Sequence, residues 1–228
     1  MTVNFSHRRL AALAGLAFVV LLIGGGVIHG SSPGLDATAA QIASYYRDHH
    51  SAVVASLLMA TIASVLLLFL AATVAADLFA PERRVAAGTL LASITAASAV
   101  AVLSGGVEIG LAQTAMHSPA PGFLRGAYVV TVSLYPAGYL FVALGMAAVA
   151  LGGSGSMPSW FVWLSAVVAV LNVLGGVSVG HSGFFASNDG GAIVFAGAGL
   201  SVWVLAASWI LWRRPQPAAV LKAEPAAS

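Results

Sequence analysis

The chain has 228 residues, of which 60% are hydrophobic and only 7% charged, with a mean hydropathy of +0.97. A soluble domain carries roughly a quarter of its residues as charges, so this composition excludes a water-soluble fold and selects a bilayer as solvent. The net charge of +2 comes from dispersed bases rather than a basic patch, which excludes a nucleic-acid reading. With no cysteine, disulfides, thiolate metal sites, iron–sulfur clusters and cysteine nucleophiles are excluded as well.

Apolar runs predict an all-α polytopic bundle of six spans, over about residues 10–28, 51–76, 85–116, 126–151, 160–180 and 191–212. They form one transmembrane domain over residues 1–214, with 215–228 read as a disordered cytoplasmic tail. Leu10–Ile28 follows His7, Arg8 and Arg9 as a secretory signal would. It is about twice the length of a signal's apolar core and lacks an Ala-x-Ala site, so it reads as an uncleaved first span.

Ser31, Ser32, Pro33 and Gly34 then break the chain. Asp36 is expected to cap a short helix with Leu35, Ala39, Ile42 and Tyr46 on one face. This predicts an amphipathic helix lying on the outer membrane surface, with Tyr45 and Tyr46 at headgroup level. His49 and His50 follow Arg47 and Asp48; adjacent positions point apart on a helix, which makes the two poor joint metal ligands.

Asp77, Pro81, Glu82, Arg83 and Arg84 close the second span, and the stretch 117–125 closes the third. Pro136 inside the fourth span removes a backbone hydrogen bond and predicts a kink. If the amino terminus faces the cytoplasm, the inner segments hold Arg8, Arg9, Arg83, Arg84, Arg213, Arg214 and Lys222, against Arg47 and Arg125 outside. That asymmetry, with Trp160, Trp163, Trp209 and Trp212 at the inner boundary, places both termini in the cytoplasm.

A six-residue pattern, Gly-Gly-Val-x-x-Gly, recurs at Gly25–Gly30, Gly105–Gly110 and Gly175–Gly180. The copies fall at the outer ends of spans one, three and five, which suggests three helical hairpins. Each contains a Gly-x-x-x-Gly face: Gly26 and Gly30, Gly106 and Gly110, Gly176 and Gly180. Two readings fit these faces: close packing within the bundle or between protein copies, or three helix ends gathered around an outward-facing hollow. Asn172, one turn before Gly176, is expected to bond a neighbouring helix.

Glu108, inside the second copy, is the one acid within an apolar run. About 24 residues beyond Arg84, it lies roughly 36 Å along the helix, past a core of about 30 Å, and so near the outer boundary. A carboxylate there can pair with Arg125 or bond a hydroxyl, or can bind a proton or ligand facing the bundle interior. Candidate companions for a ligand or proton site are His29, Arg125, Tyr135 and His181. The histidines lack the i,i+3 or i,i+4 spacing of metal ligands and the facing positions of haem ligands, so no metal or cofactor is expected. No nucleophile elbow, phosphate loop or paired carboxylates appear, so catalysis has no motif to rest on.

The run from Asp36 to His50 and the stretch Met157-Pro158-Ser159-Trp160-Phe161-Val162-Trp163-Leu164 resemble the uncharacterised six-span integral membrane proteins of high-GC, actinobacterial-type bacteria. The resemblance implies six spans and a bacterial plasma membrane and assigns no functional residue. The expected function is a non-enzymatic binding, sensing or accessory subunit with a polar pocket at the outer ends of spans one, three and five. Its expected partners are the bilayer and a membrane protein or second copy at the Gly-x-x-x-Gly faces. The alternative is a small proton-coupled secondary transporter that uses Glu108.

Overall fold

The structure, a computed structural model, describes residues 7–78, 80–117, 121–178, 183–186 and 190–214. Among them there is no strand, and six helices are long and apolar enough to cross a membrane: α1 (His7–His29), α3 (His50–Asp77), α4 (Arg84–Ala115), α5 (Pro121–Gly152), α6 (Ser159–Gly176) and α7 (Gly191–Arg213). A seventh, α2 (Ala39–Asp48), is short and joins α1 to α3, and a 3₁₀ turn at Pro81–Arg83 precedes α4. The chain is therefore an all-α, multi-pass membrane bundle. Helix α5 starts earlier than its hydropathy suggests because Pro121 fits the first helical turn, where its missing N–H costs nothing; Arg125 is helical as a result.

Each spanning helix packs against the next in sequence and α7 returns to α1, so the six close into an up-and-down ring. Lipid tails are as apolar as leucine, so such helices associate through close fit rather than through exclusion of water. The fit is visible where side chains are missing. A β-carbon on Gly15 would collide with the Ser208 hydroxyl across the α1/α7 seam, and one on Gly152 with Ala86 across the α5/α4 seam.

The ring has two unlike halves. At the basal end, where residues 7 and 214 lie, the interior is apolar: Phe18, Leu70, Ile94, Met146, Phe161 and Trp203 join one buried cluster. Trp203 satisfies its indole N–H on the Ser165 hydroxyl at 2.9 Å. The buried Asp77 carboxylate receives Arg8 from α1 at 2.7 Å and Arg214 from beyond α7 at 2.6 Å, and Arg214 also donates to the Ser156 carbonyl between α5 and α6 at 2.5 Å. This three-charge clasp ties first, second and last spans together. Around it Trp160, Trp163, Trp209 and Trp212 are exposed, with Arg213 over Trp209 and Arg9 over Trp212, as in a membrane-interface belt.

The opposite half is closed by α2. Ten residues make a helix too short to persist alone, so packing must hold it. Ile42 and Tyr46, both fully buried, enter a second cluster with Val53, Leu57, Leu111, Leu124 and Tyr128 from α3, α4 and α5. At about 1.5 to 3 kcal/mol per buried large side chain, those two residues suffice to dock it. This corrects two expectations. Helix α2 is a roof across the ends of α3, α4 and α5, with Tyr46 turned into the bundle rather than into headgroups. Its cap is Thr38 and not Asp36: Thr38 Oγ1 accepts the Gln41 N–H while the Gln41 side chain receives the Thr38 N–H, a complete capping box. His49 alone makes the corner to α3, stacked on Tyr45.

Candidate functional site

The site forms where α1, α4 and α5 end beneath α2. Glu108 lies two turns before the end of α4 and is 3% exposed. A bare carboxylate so buried would cost several kcal/mol, so its partners decide whether it is tolerated. Tyr46, from α2, donates to Oε1 at 3.2 Å, and Tyr135, from α5, donates to Oε2 at 3.0 Å. His29, the last residue of α1, places Nε2 3.4 Å from Oε1.

Hydrogen bonds orient the imidazole. With its proton on the Val53 carbonyl at 2.8 Å, the Ser56 hydroxyl accepts from His29 Nδ1 at 3.0 Å. Nδ1 therefore carries a hydrogen, and Nε2 is the nitrogen that meets Glu108. Two lone pairs facing each other there would repel, so the contact requires one proton between them.

The scaffold around this pair is fixed from several sides. Gly30 leaves α1 at φ +68°, a left-handed stop that glycine adopts without strain, with its N–H on the Gly26 carbonyl at 3.1 Å. Tyr45 donates to the freed His29 carbonyl at 3.0 Å. Tyr128 donates to the Pro33 carbonyl and so anchors the loop after α1 to α5. Burial, then the neighbouring Glu108 charge and Tyr128, pushes the Tyr45 hydroxyl up to about 12; the same causes, with the hydrogen bond to Glu108, push Tyr46 up further. Both phenols therefore stay protonated and remain donors at physiological pH.

Beside the pair is a cavity of about 250 Å³, lined by His29, Ser31, Ser32, Glu108, Tyr128, Thr131, Tyr135 and Tyr139, with Ile193 of α7 at one side. Pro136 has no N–H to give the carbonyl of Val132, which also lines this cavity. Among the described residues no third His, Asp or Glu joins His29 and Glu108 in a group suited to a metal ion.

The structure thus brings together His29, Glu108 and Tyr135 of the residues singled out in the sequence. Arg125 is exposed on the first turns of α5, outside the cavity lining; the basic partner of Glu108 is His29 instead. His181 and Gly180 lie outside the described residues. The described lining comes from α1 and the loop after it, α4, α5 and Ile193 of α7; among the described residues neither α6 nor the third glycine copy contributes to it. Gly175 instead packs between Ala196 of α7 and Tyr139 of α5, and Gly176 packs on α5, where a β-carbon would strike Leu140 and come within 3.2 Å of the Pro136 carbonyl. Around Gly26, Gly30, Gly106 and Gly110 a β-carbon would meet nothing within 4 Å, so within this chain they are not close-packing positions. Asn172 donates to the Val168 carbonyl of its own helix at 2.9 Å, not to a neighbour, and its Oδ1 is buried without a partner.

Tyr46, Tyr45 and Ser56 are site residues that sequence reasoning did not assign. The signal for Tyr46 was present: it falls on the apolar stripe of α2 with Ile42, four residues apart. Nothing local marked Ser56.

Fold and site together define a helical, multi-pass membrane protein with a polar pocket beside a buried His29–Glu108 contact. Compared with protein-family models, with curated proteins and with solved structures, the chain matches none.

Proposed function

We propose that this is a non-enzymatic membrane protein that binds a small molecule in the pocket beneath α2, in a sensing or accessory role, with the proton on His29 and Glu108 responding to occupancy. Its proposed setting is the bacterial plasma membrane, α2 on the outer face and both termini in the cytoplasm, as the arginine asymmetry favours. The observation that carries the reading is Glu108: 3% exposed, held by three side chains from three other helices, and open on its remaining side to a cavity. A carboxylate kept for packing alone would not need that cavity. Binding is favoured over transport by the unlike halves of the ring, since the basal half is filled by apolar side chains.

The absence of native cysteine makes the test direct. Thr131→Cys, at a buried position on the cavity wall, should react with a membrane-impermeant thiol reagent added from the α2 side and not from the other. Ser31→Cys, exposed at the cavity mouth, serves as the reactive control. An unreactive Thr131→Cys beside a reactive Ser31→Cys would sink the pocket. Proton-coupled transport is the second reading, favoured by the shared proton. It predicts pH-driven flux in proteoliposomes that Glu108→Gln abolishes, and no flux from a broad substrate panel removes it.

A further inference from the structure

A second cavity of about 270 Å³ adjoins the first, and the two share His29, Gly30 and Tyr135. Its walls are of the opposite character: Leu21, Leu22 and Gly25 of α1 face Leu57 and Ala60 of α3, with Ser56 at the junction. Small-molecule sites usually occupy about 300 to 1,000 Å³. Neither chamber reaches that range alone, and the joined pair does.

We propose, building on the pocket reading above, that the two chambers are one site for a single-tailed amphiphile whose head is uncharged and bears a hydroxyl. The polar chamber offers the head the Glu108 carboxyl and the hydroxyls of Ser31, Ser32, Thr131 and Tyr139. It disfavours an anionic head, because among the described residues no Lys or Arg lines it and Glu108 would face the anion. It disfavours a cationic head, because its one carboxyl is already engaged by Tyr46, Tyr135 and His29 from three other helices, and the cation would have to displace them. A neutral hydroxyl needs neither counter-charge, and it can donate to Glu108 while accepting from the wall.

The apolar chamber supplies the tail's place. Positions 21 and 22, 25 and 26, and 29 and 30 form a stripe along two turns of α1. Gly26, where a β-carbon would meet nothing within 4 Å, leaves room beside the stripe, while Gly25 lets α1 approach the Ser56 carbonyl of α3 closely. From His29 to Leu21 the stripe descends about 12 Å at 1.5 Å per residue, a depth that roughly eight to ten methylenes occupy.

The test uses the full chain in lipid nanodiscs and 4-octylphenol carrying a diazirine at the tail end. Photolabelling should saturate and map to Leu21, Leu22 and Ala60. Unlabelled 4-octylphenol should compete at least tenfold better than phenol, octylammonium or octyl phosphate, and Ala60→Phe, which fills the tail chamber, should cut labelling at least tenfold. The competition series on the native chain stands even if Ala60→Phe fails to fold. If phenol competes as well as 4-octylphenol, the tail chamber is refuted while the polar pocket survives. If octylammonium or octyl phosphate competes best, the uncharged head is refuted. Unsaturable labelling of the lipid-facing Val20 and Ile23 overturns the proposal outright, and Thr131→Cys reactivity judges the pocket separately.

Discussion

Replacing Tyr46 by Phe removes one oxygen from the α2 roof and nothing else. The ring is fully buried among Ile42, Val53, Leu111 and Tyr128, so its packing persists and no large cavity opens. What is lost is the hydroxyl's bond to Glu108. Hydrogen bonds to a charged group contribute about 1.5 to 3 kcal/mol, and at 3.2 Å this one is longer than the usual 2.5 to 2.7 Å for a hydroxyl on a carboxylate. The lower end applies: about 1.5 kcal/mol, or tenfold in the population with α2 undocked. Hydrogen exchange of the α2 amides in nanodiscs reads that population, because a docked roof protects them and an undocked one does not. The same substitution in a Glu108→Gln background, where the acceptor is a neutral amide, should cost less than half as much. An equal cost in both backgrounds, or no change in exchange, would refute the assignment of Tyr46 as a donor to Glu108.

Asp77→Asn removes the charge that holds Arg8 and Arg214, and should destabilise the bundle by about 2 kcal/mol in detergent unfolding, with α1 and α7 loosening first in hydrogen exchange; a loss below about 0.5 kcal/mol would mean the clasp is ornamental. Gly176→Ala should cost about 1 to 2 kcal/mol, because Leu140 and the Pro136 carbonyl must move. Gly106→Ala should be neutral or stabilising by up to about 1 kcal/mol, and a clear loss with a change in oligomeric state by mass photometry would reassign that face to contact between copies. For Tyr45, the folded form keeps its proton up to about 12, against an ordinary 10.0, so stability linked to it is intact below 10.0 and declines as pH rises toward 12. The phenolate absorbance of the native chain minus that of Tyr45→Phe should emerge only in that window; emergence at 10.0 would show that Tyr45 is not held beneath α2.

The spans were legible because twenty-odd consecutive apolar residues have one interpretation in any solvent, and their structural ends fall within a few residues of the hydropathy edges. The exception is α5, where Pro121 begins a helix that hydropathy alone starts later. Less legible was α2. Both Asp36 and Thr38 can cap a helix, and only the reciprocal Gln41 three residues on selects Thr38. The direction of Tyr46 was misjudged because a short amphipathic helix looks the same whether its apolar face meets lipid or the ends of other helices. The His29–Glu108 contact joins two copies of one glycine pattern, yet nothing in either copy states that their variable positions meet. That depends on the ring bringing α1 and α4 to either side of α3. Arg125 was chosen for charge, but it lies exposed on the first turns of α5 and does not line the cavity.

The central claim is a single proton held between His29 and Glu108, oriented by Ser56. ¹⁵N NMR of histidine-labelled protein in nanodiscs, with His29 assigned by difference from His29→Gln, tests it most directly. The predicted spectrum has Nδ1 protonated, with Nε2 shifted by its hydrogen bond to the carboxyl, and Glu108→Gln alters the Nε2 signal while Nδ1 stays protonated. A bare Nδ1 with the hydrogen on Nε2, unchanged by Glu108→Gln, would contradict it.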